Sequence, residues 1–356
     1  MNYDFGVIGE VHQDLYYETN FFESLIQKIS KDLFQFLHYN PDDITSKLIE
    51  KIVSRSFSSL PKKIQGKGYV RRGGNGNNSS EYLARLGIPV RLISVIGNNA
   101  KWIIEELRNL GINIDNLFVI KTPTPISTII KSGNKTKILV APNLKEKMNF
   151  EGIKEIDDAF LNLKIAFITP LDEKYKTILN TCSKRGIITA FTIETQKIKN
   201  IDILSKLVNK KTDMLFINLQ DARIITGIEN SIDHVDDILK DYAKIRIYTS
   251  GKEGSHIITD TLALHEPALK LTNIIDLTGA GDCFAAGFLA KFYELIKNKE
   301  ELNELLELEN EGKLKNILSK CLKFGTYTAA FKITHEDPIE KDKLENFIHN
   351  FGENKN

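Results

Sequence analysis

Residues 273–289 read NIIDLTGAGDCFAAGFL, and this stretch decides how the rest of the chain is interpreted. Its first part predicts an apolar strand and its last part an apolar helix, with Gly279 and Gly281 between them. Glycine leaves backbone N–H groups unobstructed, and a helix N-terminus carries a partial positive charge, so the junction favours an anion. Asp282 at the same place would compete with a bound phosphate unless its carboxylate faces another group.

The segment makes chemical sense if Asp282 accepts the proton of an attacking hydroxyl. The amides of Gly279, Ala280 and Gly281 would then stabilise a transferred phosphoryl group. A structural interpretation also accounts for the residues, because aspartate is a common helix N-cap and two glycines can form a tight turn. Taken alone, the segment leaves both interpretations open.

A family resemblance favours the catalytic interpretation. The run Asp276–Asp282, DLTGAGD, closely resembles the D-T-x-G-A-G-D signature of the ribokinase-like, or PfkB, carbohydrate kinases. The resemblance implies a transferase with an alcohol acceptor, with Asp282 as catalytic base and with ATP and Mg²⁺ as cofactors. The residues that it implies around the phosphoryl group and the nucleotide are Gly279, Ala280, Gly281 and Thr278.

Two further stretches resemble the acceptor side of that family. Residues 72–78, RGGNGNN, resemble its N-terminal signature, which implies substrate binding by Gly73, Gly74 and Asn78. A side-chain amide both donates and accepts, which suits neighbouring hydroxyls of a sugar. Asp14 follows Gly9 by five positions, as does the family's sugar-binding aspartate, although an aspartate after a strand is also an ordinary loop residue.

The nucleotide side is represented by two motifs. Residues 218–221, NLQD, resemble the family's N-x-x-E motif, with Asp221 in place of glutamate. The shorter side chain implies a magnesium contact through water, while Asp221 as a helix N-cap is the structural alternative. Residues 249–254, TSGKEG, resemble the T-x-G-x-x-G turn beside the phosphates. The nucleotide-binding residues implied here are Asn218, Thr249, Gly251 and Gly254.

The alternation of strands and helices predicts a parallel sheet covered on both faces. The resemblance implies the corresponding fold class, a doubly wound α/β domain with a small β lid. The predicted strands are Phe5–Gly9, Val90–Ile96, Ile165–Thr169, Ile187–Ile193, Met214–Asn218 and Ile245–Thr249. The predicted helices are Lys101–Leu110, Glu173–Arg185, Asn200–Asn209, Ala280–Ile296, Lys313–Phe331 and Ile339–Phe351.

Two segments interrupt this alternation. Ile126–Lys131 and Thr136–Val140 flank residues 132–135 and predict a β-hairpin that belongs to the lid. Residues 23–39 and 42–57 have the apolar spacing of two helices, with Asp42 as N-cap of the second, and are interpreted as a helical insertion. We expect one domain over residues 1–356, with lid and insertion segments at about 15–72 and 117–142.

Composition narrows the function class further. Lys and Arg number 48 and Asp and Glu 47, so bulk charge gives no reason to expect a nucleic-acid or membrane partner. Cys182, Cys283 and Cys321 lie far apart, which is typical of a reducing cytosol. The sequence shows no signal segment or long apolar run, so we expect a cytoplasmic protein. Its expected partners are a nucleotide and a sugar-like molecule, and a second copy through the lid if the altered lid permits it.

The chain departs from the family pattern in places. Asn98 follows Gly97 where the family often has an aspartate, and residues 329–336 lack the glycine that often closes the loop for a monovalent cation, so potassium dependence is not assigned. Arg71 or Arg72 could meet a phosphate on the substrate, or both could be ordinary surface charge. Neighbours on a strand point to opposite faces, so at most one of the two reaches the site.

The function expected from the sequence is transfer of the γ-phosphoryl group of ATP to a hydroxyl. The acceptor is a sugar, a polyol, a nucleoside or a sugar phosphate. One alternative is an ADP-dependent kinase, and another is a non-catalytic nucleotide- or sugar-sensing protein with the same fold. Because the segment around Asp282 is intact, catalysis is favoured over sensing.

Overall fold

The computed structural model describes residues 3–39, 46–133, 135–229 and 231–353. These residues form two compact units. The first unit comprises the described residues within Met1–Val11, Gly74–Pro123 and Lys147–Asn356, and the second comprises those within His12–Gly73 and Thr124–Glu146. The predicted N-cap Asp42 and the hairpin residue Asn134 lie outside the described residues. The expectation of a single domain stays a prediction.

The strands fall into two sheets. They are β1 Phe5–Gly9, β2 His12–Glu18, β3 Lys67–Gly73, β4 Val90–Gly97, β5 Leu117–Ile120, β6 Ile126–Ser132, β7 Lys135–Val140, β8 Ile165–Thr169, β9 Ile188–Thr192, β10 Thr212–Asn218, β11 Ala243–Thr249, β12 Ser255–Ile258 and β13 Ala263–Glu266.

The α-helices are connected by short 3₁₀ turns in several places. They are α1 Phe21–Tyr39, α2 Ser46–Ser58, α3 Asn75–Arg85, α4 Lys101–Asn109, α5 Pro142–Lys145, α6 Lys176–Lys184, α7 Ile201–Leu207, α8 Leu219–Thr226, α9 Ile232–Leu239, α10 Ala280–Leu295, α11 Lys299–Leu305, α12 Glu311–Thr334 and α13 Lys341–Glu353. No helix in the described part of the chain is long and apolar enough to cross a membrane.

The first unit is built on a nine-stranded sheet with the order β13-β12-β11-β10-β9-β8-β1-β4-β5. The strands from β11 to β5 pair in parallel, while β12 and β13 run antiparallel at one edge. Every residue of β1 and β8 is buried, as expected for parallel strands covered on both faces. The predicted doubly wound α/β fold is therefore confirmed.

Alternating side chains divide the core of the first unit between the two faces of the sheet. Val7 of β1 belongs to the cluster that includes residues of α3, α4, α10 and α12. Its neighbour Ile8 belongs to the cluster with residues of α6, α7, α8 and α9. Since successive side chains enter opposite clusters, both faces are apolar, and helices cover both.

One predicted strand is absent. Residues 271–277, all of which the structure describes, form no strand, although the apolar run before Gly279 predicted one. Ile274 and Ile275 are about half exposed, and the N–H of Ile275 donates to the carbonyl of Ile333 at 2.8 Å. This run therefore leads to α10 as a connection that is hydrogen-bonded to the end of α12.

The second unit contains a four-stranded sheet with the order β3-β2-β6-β7. The predicted hairpin forms, with β6 and β7 paired from Ser127↔Val140 to Ser132↔Lys135. The helices α1 and α2 lie between β2 and β3, which pair directly with each other. The lid segment predicted from residue 117 begins too early, because β5 pairs with β4 in the other sheet and the second unit resumes at Thr124.

Candidate active site

The junction before α10 has the geometry of a glycine turn. Gly279 is the N-cap of α10 and has a φ of 75°, a left-handed conformation that residues with a Cβ disfavour. The N–H of Ala280 donates to the carbonyl of Leu277 at 3.2 Å. The Ala280 amide therefore has a partner within the turn, and its predicted role beside the phosphoryl group stays a prediction. Gly281 is exposed and lies in the first helical turn, where N–H groups have no intrahelical acceptor.

Thr278, predicted to contact the nucleotide, lies in the same turn. Its backbone N–H donates to a carboxylate oxygen of Asp276 at 2.9 Å, and its side chain is exposed. The side chain of Asp276, two residues earlier, thus stabilises the turn. Thr278 thus stands at the surface of the junction, and its contact with a nucleotide stays a prediction.

Asp282 lies at the start of α10 and faces two asparagines from α3. The side-chain amide of Asn75 donates to Oδ1 of Asp282 at 3.4 Å and to Oε1 of Glu194 at 2.7 Å. Asn78 also hydrogen-bonds to the Asp282 carboxylate. The structure therefore brings together Asp282 and Asn78, both predicted, with Asn75 and Glu194, which the sequence interpretation missed.

The surroundings of Asp282 raise its pKa to about 7. Loss of solvent around the carboxylate is the largest cause, and the negative charge of Glu194 acts in the same direction. The hydrogen bonds from Asn78 and Asn75 oppose the shift, because they stabilise the ionised form. A carboxylate with a pKa near neutral pH has the basicity expected of a general base.

Glycines bring α3 to this place. A Cβ on Gly9, at the end of β1, would lie 2.7 Å from Cα of Gly76, so both positions must lack a side chain. The N–H of Asn77 donates to the carbonyl of Glu10 at 3.3 Å, and its side chain donates to Asn78 at 3.0 Å. The start of α3 thus packs directly on the end of β1 and presents its asparagines at that edge of the sheet.

A charged cluster lies at the same edge. Oε1 of Glu10 is 3.1 Å from Nζ of Lys174 and 3.2 Å from Nζ of Lys197. Lys197 also pairs with Asp172 at 2.8 Å. Carboxyl ends of parallel strands meet at one edge of a sheet, so residues after β1, β8 and β9 converge although the sequence separates them.

On the predicted nucleotide side, Asn218 is the N-cap of α8, and its Oδ1 accepts from the N–H of Gln220 at 2.8 Å. The alternative that Asp221 caps this helix is therefore wrong. Asp221 instead accepts a hydrogen bond from Oγ1 of Thr195 at 3.2 Å, and burial raises its pKa.

The described residues contain no group of three or more His, Cys, Asp or Glu placed to hold a metal. Mg²⁺ in nucleotide enzymes commonly takes one or two carboxylates, waters and phosphate oxygens. The single carboxylate of Asp221, next to a hydroxyl, fits this mode of binding. A water-mediated role for Asp221 stays a prediction.

The turn after β11 lies beside Asn218. Thr249 is the direct partner of Asn218 in the ladder between β10 and β11. Gly254 has a φ of 95°, and a Cβ there would lie 2.1 Å from the carbonyl oxygen of Glu266. Glycine at 254 is therefore required by backbone contact with the end of β13. Gly251 has a φ of 54° with open space around it, so its surroundings leave room for a ligand.

In the second unit, Asp14 lies on β2 and accepts from Nε2 of His12 at 3.1 Å. A Cβ on Gly73 would lie 2.3 Å from Oδ2 of Asp14, so the glycine makes room for this carboxylate. Gly74, the next residue along the chain, is the N-cap of α3 and has a φ of 97°. These contacts explain the glycine pair without requiring a ligand, and the substrate-binding roles of Gly73 and Gly74 stay predictions.

The ladder between β2 and β3 decides which arginine shares the face of Asp14. Asp14 is paired directly with Arg71, so Arg71 is on its face and Arg72 on the other. Two ladder rows further, and so on the same face, Tyr16 and Tyr69 stack with ring centroids 5.0 Å apart. The Arg71 guanidinium lies 4.9 Å from the centre of the Tyr69 ring. This face therefore combines a carboxylate, a cation and an aromatic surface.

Comparison with known proteins gives the family. The sequence profile of the pfkB family of carbohydrate kinases matches residues 53–344. A cytidine kinase from Thermococcus kodakarensis is 27% identical over 235 residues, which is 64% of this chain and 82% of that protein. A nucleoside kinase from Methanocaldococcus jannaschii is 27% identical over 237 residues, 63% of this chain and 74% of that protein.

Solved structures share the fold. The structure of Arabidopsis thaliana ribokinase complexed with ribose and ATP superposes with a TM-score of 0.71 at 16% identity, and covers 98% of this chain and 99% of that one. At this identity the likeness shows the fold alone. The profile match extends over most of the sequence and includes the junction at Asp282, and the chain therefore belongs to the pfkB family of carbohydrate kinases.

Proposed function

We propose that this protein is an ATP-dependent kinase that phosphorylates a hydroxyl of a nucleoside or sugar, with Asp282 as the general base. The observation that carries the proposal is the position of Asp282 in the first turn of α10. Its carboxylate is held by Asn75 and Asn78, has a pKa of about 7, and stands next to the exposed Gly281. Membership of the pfkB family supports phosphotransfer as the reaction class.

In the proposed reaction, the acceptor oxygen attacks the γ-phosphorus while its proton passes to Asp282. The bond from the γ-phosphorus to the β–γ bridging oxygen breaks, and ADP leaves. The amides of Gly279 and Gly281 donate to oxygens of the transferred group, where negative charge develops. Mg²⁺, held by Asp221 through water, would neutralise charge on the β- and γ-phosphates.

The remaining predicted residues divide between the two ligands. Asp14 and Asn78 would bind acceptor hydroxyls, since a carboxylate accepts and an amide both accepts and donates. For the nucleotide, the half-buried Thr249 ends β11 beside the exposed Asn218 at the end of β10, and the exposed Gly251 lies in the turn that follows. A nucleotide in this position would lie at the carboxyl edge of the sheet, where ligands of open α/β sheets bind.

A nucleoside is the acceptor class that we favour over a bare sugar. The stacked rings of Tyr16 and Tyr69 are on the Asp14 face, two ladder rows away, and aromatic side chains bind bases by stacking. The relatives described as cytidine kinase and nucleoside kinase are consistent with this choice. A sugar phosphate is the second candidate, because Arg71 shares the same face.

The decisive experiment is Asp282→Asn, assayed by coupled ADP release with cytidine, inosine, ribose and ribose 5-phosphate as acceptors. We expect the variant to keep its fold and nucleotide binding and to lose at least about two decades of turnover, because a general base contributes about 10²–10⁴ in rate. Asp342→Asn is the matched control, an exposed aspartate in the first turn of α13.

Each alternative has its own outcome. Near-normal turnover of Asp282→Asn would refute the assignment of the base. Wild-type protein that binds ATP but turns over no acceptor would favour the sensing alternative, and turnover with ADP as donor would establish the ADP-dependent one. Activity with ribose 5-phosphate alone would replace the nucleoside by a sugar phosphate.

A further inference from the structure

Glu194 is the second carboxylate of the site, and no sequence motif points to it. It lies two residues beyond the end of β9, between the strand and Thr195, whose hydroxyl donates to Asp221. One oxygen of Glu194 is 2.7 Å from the amide nitrogen of Asn75. The same nitrogen is 3.4 Å from Asp282. Since a side-chain amide nitrogen carries two hydrogens, Asn75 can donate to both carboxylates at once.

The groups around Asp282 determine what this bridge does. Within the described residues, Glu194 is the ionisable group whose charge acts on Asp282 most strongly. On α10 itself the neighbouring thiol of Cys283 is buried, and burial raises its pKa, so it stays neutral. From α12, Lys332 acts on that thiol. From α3, the hydroxyl of Tyr82 lies close to Gly279.

The ammonium groups of the charged cluster around Glu10 are engaged within that cluster. Lys174 and Lys197 both pair with Glu10, and Lys197 also pairs with Asp172. The charge that acts on Asp282 is therefore the negative charge of Glu194. A like charge disfavours the ionised form of a carboxylate and makes it a stronger proton acceptor.

We propose that Glu194 is a positioning residue for the transfer reaction, which fixes the Asp282 carboxylate through the Asn75 amide and strengthens it as a proton acceptor. The inference rests on the proposed function, in which Asp282 takes the proton of the acceptor hydroxyl. Glu194 itself exchanges no proton with substrate in this scheme. Its contribution is the negative charge and the fixed orientation of its neighbour.

The test is the pH dependence of kcat/KM in Glu194→Gln. Glutamine keeps an oxygen that can accept from Asn75 but removes the charge. Asp282 acts as base when deprotonated, so the wild-type rate falls as the pH drops through about 7. In the pH profile of kcat/KM, we expect the acidic limb of the variant to lie about one pH unit lower than that of the wild type, because a nearby like charge is lost. Asn75→Ala should lower kcat with little change in the KM of the nucleotide.

Glu81→Gln is the matched control, because it removes one negative charge from α3 at a residue that pairs with Arg85 at 2.8 Å. Its acidic limb should coincide with that of the wild type. An unmoved limb in Glu194→Gln would overturn the proposal. If the Mg²⁺ requirement of that variant also rose, Glu194 would instead belong to the cation site.

A second measurement applies if Glu194→Gln has no turnover. The carboxyl carbon of Asp282 can be titrated by NMR in protein labelled with ¹³C-aspartate, its signal being the one missing from Asp282→Asn. A midpoint lower than in the wild type supports the role of Glu194, and an unchanged midpoint refutes it. This readout does not depend on catalysis, so it separates failure of this inference from failure of the proposed function.

Discussion

Single residues in the first unit show how completely a buried charge is compensated. The Arg246 side chain on β11 is 2% exposed and donates to both carboxylate oxygens of Asp236, at 2.9 Å and 2.7 Å. The hydroxyl of Tyr248 donates to the same carboxylate at 2.6 Å. Nη1 donates to the backbone carbonyls of Ala243 and Lys244 and to Oδ1 of Asp260 at 3.1 Å. A pair desolvated to this degree depends on every partner being present.

We therefore expect Asp236→Ala to lower the free energy of unfolding by about 3 kcal/mol, the lower end of the range for a broken buried pair, because Arg246 keeps only the exposed Asp260, 3.1 Å from Nη1, as its counter-ion. Urea unfolding followed by circular dichroism measures this. The adjacent exposed Asp237→Ala, which loses only a pair with Lys240 at 3.0 Å, is the control and should unfold close to the wild-type midpoint. Equal midpoints for the two variants would show that the Arg246 pair contributes little.

Residue motifs predicted part of the site and could not predict the rest. Asp282 and Asn78 were identified from short motifs, and the structure places them in contact. Asn75 stands within the same motif, but its role depends on Glu194, which is more than a hundred positions away. Such a pair exists only because the end of β9 and the start of α3 meet at one edge of the sheet. The sequence alone does not show that these two ends meet, so it could not predict the contact.

At the scale of elements, α10 and α12 pack through glycines. A Cβ on Gly287 would lie 2.3 Å from Oγ1 and 2.6 Å from Cβ of Thr328. A Cβ on Gly325 would lie 2.9 Å from the carbonyl oxygen of Phe284. Because Gly287 and Gly325 have no side chains, the two helices can approach closely on one face of the sheet. The position of α10, and with it Asp282, is thus set by packing behind the helix as well as by the turn before it.

This packing gives a prediction for Gly287→Ala. The added methyl group must displace Thr328 or separate the helices, and overpacking of this kind costs about 1–3 kcal/mol of stability. We also expect kcat to fall, since a shift of α10 moves Asp282. Gly312→Ala on α12 is the control: nothing lies within 4 Å of its Cβ position, so alanine should stabilise the helix by up to about 1 kcal/mol. Thermal unfolding and turnover of both variants decide the matter, and a stabilised Gly287→Ala would contradict the packing argument.

Elements with strong periodicity were predictable, whereas those that depend on their neighbours were not. The strand at Ile165–Thr169 was predicted with its exact bounds, because a short apolar run between turns has few alternatives. The apolar run at Ile274 and Ile275 has a similar composition but forms no strand, and the N–H of Ile275 donates to the end of α12 instead. Leu117–Ile120 was assigned to the lid, although its partner is β4. Partner choice is a tertiary property that composition does not encode.

At the scale of the whole molecule, the second unit is an interruption of the first in sequence. Within the second unit, the helical insertion is itself an interruption of one hairpin, because Glu18 at the end of β2 is paired with Lys67 at the start of β3. The residues between them leave and re-enter the same ladder. The insertion is therefore not needed to set the register of the strands that carry Asp14, Arg71 and Gly73.

This topology predicts that residues 19–66 can be replaced by Asn-Gly, the two-residue turn that suits an antiparallel pair. The shortened protein should fold and keep turnover with the acceptor preference of the wild type, because the β2–β3 pairing and all residues proposed for the chemical step remain. The midpoint of thermal unfolding should fall, since the bond from the N–H of Phe22 to Ser132 is lost. Circular dichroism and kcat/KM measure both effects, and the same deletion combined with Asp282→Asn should abolish turnover. A folded deletion variant that binds ATP but phosphorylates no acceptor would contradict the prediction and would place the insertion within the acceptor site.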